Sequence, residues 1–292
     1  MYKEIESNKR NSIILMIIFI FVLISIGLGL DYLWGEGSYS IVWVAIIISL
    51  LMTSISYFKG DKIALASAGA KKITKEENTY VYRLVENLCI TAGLPIPQIY
   101  TIEDPAINAF ATGRDPKKSS IALTRGAIEK LENEELEGVI AHELSHIKNY
   151  DIRFMTMVAV LVGSIVLISD IFMRSQFLGS RSRKKEKGSL FLIIGLILAI
   201  LSPIIAEIIK LAISRKREYL ADASASLLTR YPQGLANALE KIEKENLKLI
   251  KSSKAIAPLF ISSPFKNKSK KVPWFSTHPP IKNRIVKLKG ML

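Results

Sequence analysis

Residues 142–146 read His142-Glu143-Leu144-Ser145-His146, and the chain holds only three histidines, so two of them stand four positions apart in one stretch. On a helix, positions i and i+4 share a face, so both imidazoles can reach one metal ion while Glu143 faces the same cleft. The preceding residues predict that helix. Asn133 suits its N-cap, Glu134, Glu135 and Glu137 suit its positive start, and Leu136, Val139, Ile140 and Leu144 supply an apolar stripe. Zinc in such a motif lowers the pKa of a bound water to about 7, and a carboxylate that takes the water's proton delivers hydroxide to a peptide carbonyl. The spacing therefore predicts His142 and His146 as zinc ligands, Glu143 as general base and peptide hydrolysis as the chemistry.

A catalytic zinc site uses three protein ligands and keeps a position for water, so a third ligand must come from elsewhere. His278 is the remaining histidine, set in a rigid loop between Thr277 and Pro279-Pro280. Glu218-Tyr219-Leu220-Ala221-Asp222 lies in a helical stretch that puts Glu218 and Asp222 on one face. One of the two can bind the metal while the other hydrogen-bonds the free nitrogen of a ligand histidine. With Arg215, Lys216 and Arg217 alongside, a solvated charged face is the competing reading, and the metal's need for a third ligand weighs against it.

Composition places part of the chain in a bilayer. Of 292 residues 49% are hydrophobic, more than the core of a soluble domain of this size needs. Asn11 to Leu30 is an uncharged run of 20 residues and Gly37 to Phe58 one of 22, with only Asp31 and Glu36 charged between them. Each run is near the length that crosses the hydrocarbon layer. No small-residue cleavage site follows the first, so a retained hairpin is expected rather than a signal peptide. Lys3, Lys9 and Arg10 precede the hairpin, Lys59 and Lys62 follow it, and the short turn carries no Lys or Arg. By the positive-inside rule both ends, and the catalytic region after them, face the cytoplasm. Two more apolar runs, Phe154 to Ser169 and Gly188 to Ala206, are nearer the lower length limit, and Pro203 would kink the second. They are expected to cross as a pair, although the loop Arg174 to Ser189 then carries six Lys or Arg and one Glu to the far side. A non-crossing hairpin, or two helices buried in a soluble core, are the alternatives.

The stretch between hairpin and motif reads as helix, strands and helix. Glu76 to Ala92 is amphipathic, with Tyr80, Leu84, Leu88 and Ile90 on its apolar side and Gly93 and Pro95 ending it. Gln98 to Glu103, Ala109 to Thr112 and Ser120 to Thr124 alternate as short strands, the last two joined by a Gly-Arg-Asp-Pro turn. A small sheet beside the metal helix offers an edge that can pair with an extended peptide through its backbone, assigned to Ala109, Phe110, Ala111 and Thr112. The expected fold class is a predominantly α membrane protein, with transmembrane helices plus a cytoplasmic α+β zincin-like metalloprotease domain with a small sheet. Its parts are a basic tail at 1–12, the hairpin at 13–58, the catalytic domain at 59–153 and 214–292, and the third and fourth apolar segments at 154–213. The net charge of +14 suits anionic lipid, and the stretch Ser262 to Leu292 carries eight Lys or Arg and no acid. No nucleic-acid recognition module accompanies that charge. The single cysteine, Cys89, excludes an intrachain disulfide and reads as core packing.

Four blocks together resemble the HtpX-type membrane zinc metalloproteases: His142 to His146, Arg217-Glu-Tyr-Leu-Ala-Asp222, Asn108-Ala-Phe-Ala-Thr-Gly113 and Thr277-His-Pro-Pro280. Their order and spacing match, and the resemblance covers nearly the whole chain. It implies one Zn2+ held by His142, His146 and Glu218, with Glu143 as base and Asp222 hydrogen-bonded to a ligand histidine. It also implies that Asn108 borders the substrate cleft and that His278 steadies the substrate or the developing oxyanion. The role implied is quality control, the cutting of misfolded or damaged membrane proteins on the cytoplasmic side of a prokaryotic cell membrane. The related CAAX prenyl endopeptidases share the motifs but have more membrane spans than this chain has room for. An intramembrane protease would bury its motif in an apolar helix, whereas Glu129, Glu132, Glu134, Glu135 and Glu137 precede this one. A non-catalytic membrane scaffold would not need His142, Glu143, His146 and Glu218 intact.

Overall fold

The computed structural model describes residues 2–34, 38–178, 215–245, 247–250, 256–264 and 279–291. The first two apolar runs form helices α1 (Tyr2–Trp34) and α2 (Ser40–Ser67), both long and apolar enough to cross a membrane. Their outward residues, among them Ile17, Phe21, Trp43, Ile47, Leu51 and Phe58, are exposed large hydrophobics, as lipid-facing positions require. The inward face of α2 is small and polar instead. Ser49, Thr53, Ser56 and Gly60 are buried there, and a Cβ at Gly27 of α1 would meet the Ala45 Cβ at 2.7 Å, so small residues set the helix spacing.

The hairpin is continuous with the catalytic domain at both ends. The predicted basic tail is not free: α1 begins at Tyr2, and Asn8 and Ser12 are buried. Past Phe58, α2 runs on to Ser67 and inserts Ala64 and Leu65 into a core with Phe110, Met155 and Phe260. The third apolar run lies inside a longer helix, α6 (Asp151–Leu178). Its first turns bury Phe154, Met157, Val158 and Leu161 against Leu15 and Phe19 of α1. The fourth run, most of the basic loop 174–189 and His278 lie outside the described residues.

Four strands make the small sheet: β1 (Lys71–Lys72), β2 (Gln98–Ile102), β3 (Ala109–Asp115) and β4 (Lys118–Thr124), in the order β1-β2-β4-β3. β2 and β4 are parallel, while β1 with β2 and β3 with β4 are antiparallel. Gly113 turns the β3–β4 ribbon at φ +141°, where a Cβ would overlap the Lys118 carbonyl. Ahead of the sheet, α3 (Thr79–Ala92) starts where the Asn78 side chain accepts from the Val81 amide at 3.0 Å and stops at left-handed Gly93. It buries Val81, Val85, Leu88 and Cys89, an i, i+4, i+7, i+8 stripe. Tyr80 and Ile90, assigned to the apolar side from sequence, are 47% and 74% exposed.

The metal-motif helix α5 (Asn133–Lys148) follows the short α4 (Arg125–Lys130) and sits at the centre of the domain. It packs on β3, on α7 (Arg215–Thr229) and on α8 (Pro232–Glu245), while α9 (Ile281–Lys289) closes the far side of α7 and α8. Leu136, Val139, Ile140 and Leu144 are all buried, as the stripe predicts. Its crossing with α8 is set by Gly138, where a Cβ would lie 2.7 Å from the Leu235 nitrogen and 2.9 Å from its Cα. Gly138→Ala must therefore push two backbones apart. It is expected to destabilise the protein by about 1–3 kcal/mol, the usual cost of overpacking, and to lower the unfolding midpoint in detergent. An unchanged midpoint would show that α8 retreats freely.

Candidate metal centre

The start of α5 is fixed by Glu135, whose carboxylate accepts from the Glu132 amide at 2.8 Å, one residue earlier than the Asn133 cap expected from sequence. Two turns on, His142, Glu143 and His146 are 0%, 1% and 5% exposed. The two imidazoles meet through their Nε2 atoms at 3.2 Å. Glu218 on α7 completes the group, with Oε1 3.7 Å from His146 Nε2 and Oε2 3.8 Å from His142 Nε2. These three residues offer ligand atoms within 4.8 Å of one another. A tetrahedral zinc with ligand bonds near 2.0–2.1 Å places its ligand atoms roughly 3.3 Å apart, so the donor set fits such an ion with small adjustment.

Each histidine is aimed by a carboxylate behind it. His142 Nδ1 lies 3.0 Å from Asp222 Oδ1, and His146 Nδ1 lies 3.0 Å from Asp151 Oδ2. Donation of both Nδ1–H groups leaves both Nε2 lone pairs for a metal. The carboxylates are held in turn by arginines. Arg284 of α9, fully buried, donates to Asp222 through Nε at 2.9 Å and Nη2 at 2.6 Å, and to the Ile261 carbonyl at 3.0 Å. Arg217 Nε stands 2.8 Å from Asp151 Oδ1, which also accepts from the Asn8 amide of α1 at 2.6 Å. Asp222 was expected in this role from the sequence, whereas Asp151, Arg284, Arg217 and Asn8 were not.

Charge makes the case for a cation independently of distance. Glu143, Asp151, Glu218 and Asp222 are all at most 4% exposed, and the guanidinium groups set among them are those of Arg284 and Arg217. Buried carboxylates in excess of their cations are costly; with both imidazoles neutral, as ligation at Nε2 requires, and Glu143 ionised, the four exceed the two guanidinium groups by the charge of one divalent ion. Neither oxygen of Glu143 has a hydrogen-bond partner. Burial pushes its carboxyl up to about 7, with Glu218 adding to the shift and His146, the nearby Ala111 amide and Arg284 opposing it. Burial likewise lowers His142 to about 4, outweighing the Asp222 hydrogen bond that raises it, so the imidazole is neutral and able to ligate. At His146 burial also pulls down, but the Asp151 hydrogen bond and the charges of Glu218, Asp151 and Glu143 outweigh it and raise the group to about 9.

Two expectations look different in the folded chain. β3 is the edge strand of the sheet, but its outer edge is covered at Ala109 and Phe110. The Ile261 amide donates to the Ala109 carbonyl at 2.9 Å, Phe260 bridges to Phe110, and Thr112 Oγ1 pairs with Thr156 of α6 at 2.8 Å. A peptide can add there only by displacing the chain's own segment 256–264. Asn108 is 3% exposed, and its amide is committed to the Ser262 carbonyl at 3.1 Å and the Ala109 amide at 3.0 Å. It anchors that same segment to β3. Because Asp151 aims His146 and also pairs with Arg217 and Asn8, its substitution should reach the metal as well as the packing around it. Asp151→Asn and Asp222→Asn are each expected to weaken Zn2+ binding by about 10- to 100-fold, and Glu218→Ala by more. Titration against a chelating dye measures this. Wild-type affinity in Asp151→Asn would remove it from the support of His146.

The chain is similar to several known proteins. The model of peptidase family M48 matches residues 75–292. A protein described as protease HtpX homolog from Dictyoglomus thermophilum is 43% identical over 290 residues, covering 99% of this chain and 94% of its own. One of the same description from Thermoanaerobacter pseudethanolicus is 44% identical over 296 residues, covering 100% and 98%. Another, from Listeria monocytogenes, is 40% identical over 304 residues and covers both chains in full. The crystal structure of S. mikatae Ste24p aligns with a TM-score of 0.53 at 19% identity, over 99% of this chain and 67% of that one, a likeness of fold. With the family model covering the catalytic region and these relatives spanning the whole length, the chain belongs to peptidase family M48, among its HtpX-type proteases.

Proposed function

We propose that this membrane-anchored metalloprotease is a zinc endopeptidase that cuts misfolded or damaged membrane proteins from the cytoplasmic side of a prokaryotic cell membrane. The observation that carries the chemistry is the convergence of His142 Nε2, His146 Nε2 and Glu218 beside a Glu143 carboxylate that bonds nothing else. His142, His146 and Glu218 would hold the ion, which when bound supplies Lewis acidity toward a water and the substrate carbonyl. Glu143 takes the proton of the attacking water and returns it to the leaving amide nitrogen, a task suited to a group poised near neutrality. Asp222 and Asp151 keep both imidazoles in the ligating tautomer, and Arg284 keeps Asp222 an acceptor. The resemblance adds His278 as the residue that steadies substrate or oxyanion.

The cytoplasmic placement follows from charge. Lys3, Lys9, Arg10, Lys59 and Lys62 all lie at the end of the hairpin that carries the catalytic domain, where the positive-inside rule puts the cytoplasm. A protease whose domain packs directly on its own apolar hairpin meets membrane proteins first, which supports them as the substrate class. Glu143→Gln is expected to keep one Zn2+ per chain by metal analysis and to lose casein-type proteolysis by about 100- to 10,000-fold. Substantial remaining activity would remove Glu143 as base. In cells, membrane proteins should accumulate in the Glu143→Gln strain relative to wild type, and an accumulation confined to soluble proteins would defeat the quality-control reading.

A further inference from the structure

A cleft of about 470 Å3 lies away from the metal centre, between the end of α2, the β3–β4 turn and the start of α6. Cations from all three elements line it: Lys62 from α2, Arg114, Lys117 and Lys118 from the turn, and Arg153 from α6. Asp61 is the carboxylate among the lining residues, and Asp115 stands 3.6 Å from Arg114. Five cations against two carboxylates leave a positive field focused in a concave site.

The two guanidinium groups are held in place. Arg114 lies over the rings of Tyr57 and Phe58 at 5.7 and 5.2 Å, and Arg153 over Tyr57 and Tyr150 at 5.8 and 5.2 Å. Arg153 Nε donates to the Arg114 carbonyl at 2.6 Å, which ties the pair together. Among the described residues their Nη groups bond no acceptor, so planar donors suited to phosphate oxygens face the cleft.

Depth identifies the phosphate's source. Phe58 is 61% exposed and is the last large exposed hydrophobic on α2, before Lys59, Asp61 and Lys62. From Trp43 to Phe58 the exposed apolar face of α2 is roughly 22 Å long at about 1.5 Å per residue, most of a hydrocarbon layer. Tyr57 and Phe58, which line the cleft, thus sit at the headgroup level, where aromatic residues and basic pockets gather. Ile55 and Leu51, also exposed, continue the path from Phe58 toward the acyl region.

We propose that this cleft binds the phosphodiester of an anionic glycerophospholipid from the leaflet next to the catalytic domain, with the acyl chains along α2. The bound headgroup braces α2, α6 and the β3–β4 turn against one another. Thr156, in the same wall, already pairs with Thr112 of β3 at 2.8 Å. The inference rests on the hairpin lying in a membrane and not on the catalytic reading, so the two fail separately.

Native mass spectrometry of the detergent-solubilised full chain, given phosphatidylglycerol or phosphatidylcholine of equal chain length, tests it. Phosphatidylglycerol should be retained in clear preference, one molecule per chain. Lys117→Gln with Lys118→Gln removes two exposed side chains and should weaken retention about fivefold per lysine. Arg114→Gln with Arg153→Gln should abolish it. Lys244→Gln with Lys248→Gln removes the same charge elsewhere and should change nothing. Metal content shows that each variant is folded. Equal retention of the two lipids, or equal loss in the Lys244/Lys248 pair, overturns the site. Competition by free glycerol phosphate as effective as by lipid assigns the cleft to a soluble phosphate and overturns the lipid.

Discussion

Four carboxylates drawn into a dry interior around two imidazoles are the constraint from which the rest of this structure follows. Glu143, Asp151, Glu218 and Asp222 cannot be left in low dielectric without cations and donors aimed at them. The chain answers with two parallel relays, Arg284–Asp222–His142 from one side and Arg217–Asp151–His146 from the other. Each ends at a histidine whose remaining nitrogen faces Glu218, and the charge still missing is that of one divalent ion. A well-packed apolar cluster would serve stability better than such a network. Its retention reflects the chemistry it positions.

That constraint explains why the membrane hairpin is not a mere tether. Asn8, in the first turns of α1, donates to both Asp151 and the Asn149 carbonyl, so the anchor reaches within two hydrogen bonds of His146, a candidate metal ligand. On the other flank α2 leaves the bilayer without a break and ends in the core beside Phe110 and Phe260. Between them α6 is buried against both helices before it runs on toward the membrane. Membrane and catalytic parts are one packed body among the described residues, and a cleft at their junction is where a headgroup has mechanical purchase.

Much of this was legible in the chain. Histidines four apart on a capped, amphipathic helix identify a metal helix, and an acid pair four apart identifies its partner, because helical periodicity is local information. The apolar runs identify the hairpin for the same reason. Asp151, Arg284 and Asn8 carry no local mark. An acid at the start of α6 reads as an ordinary helix-start residue, and an arginine in a lysine-rich terminal stretch reads as solvated charge. Only tertiary packing brings them to the histidines. The cover on the first part of β3 was not legible for a related reason: a strand's position in the sheet follows from its pairing, but the segment against Ala109 and Phe110 comes from residues 256–264, far along the chain.

The relays also determine when the site can exist. Arg284 of α9 supplies the cation beside Asp222, and Asn8 of α1 supplies a neutral donor to Asp151. Removing one partner of a buried charge pair leaves the other uncompensated, at a cost of several kcal/mol. A chain with α9 undocked would leave Asp222 without its cation, and His142 would lose the acceptor that fixes its tautomer. A chain with α1 undocked would cost Asp151 the Asn8 donor while leaving it Arg217. The geometry of the candidate metal centre thus depends on both docked helices, with Arg284 of α9 fixing Asp222 behind His142 and Asn8 of α1 supporting Asp151 behind His146.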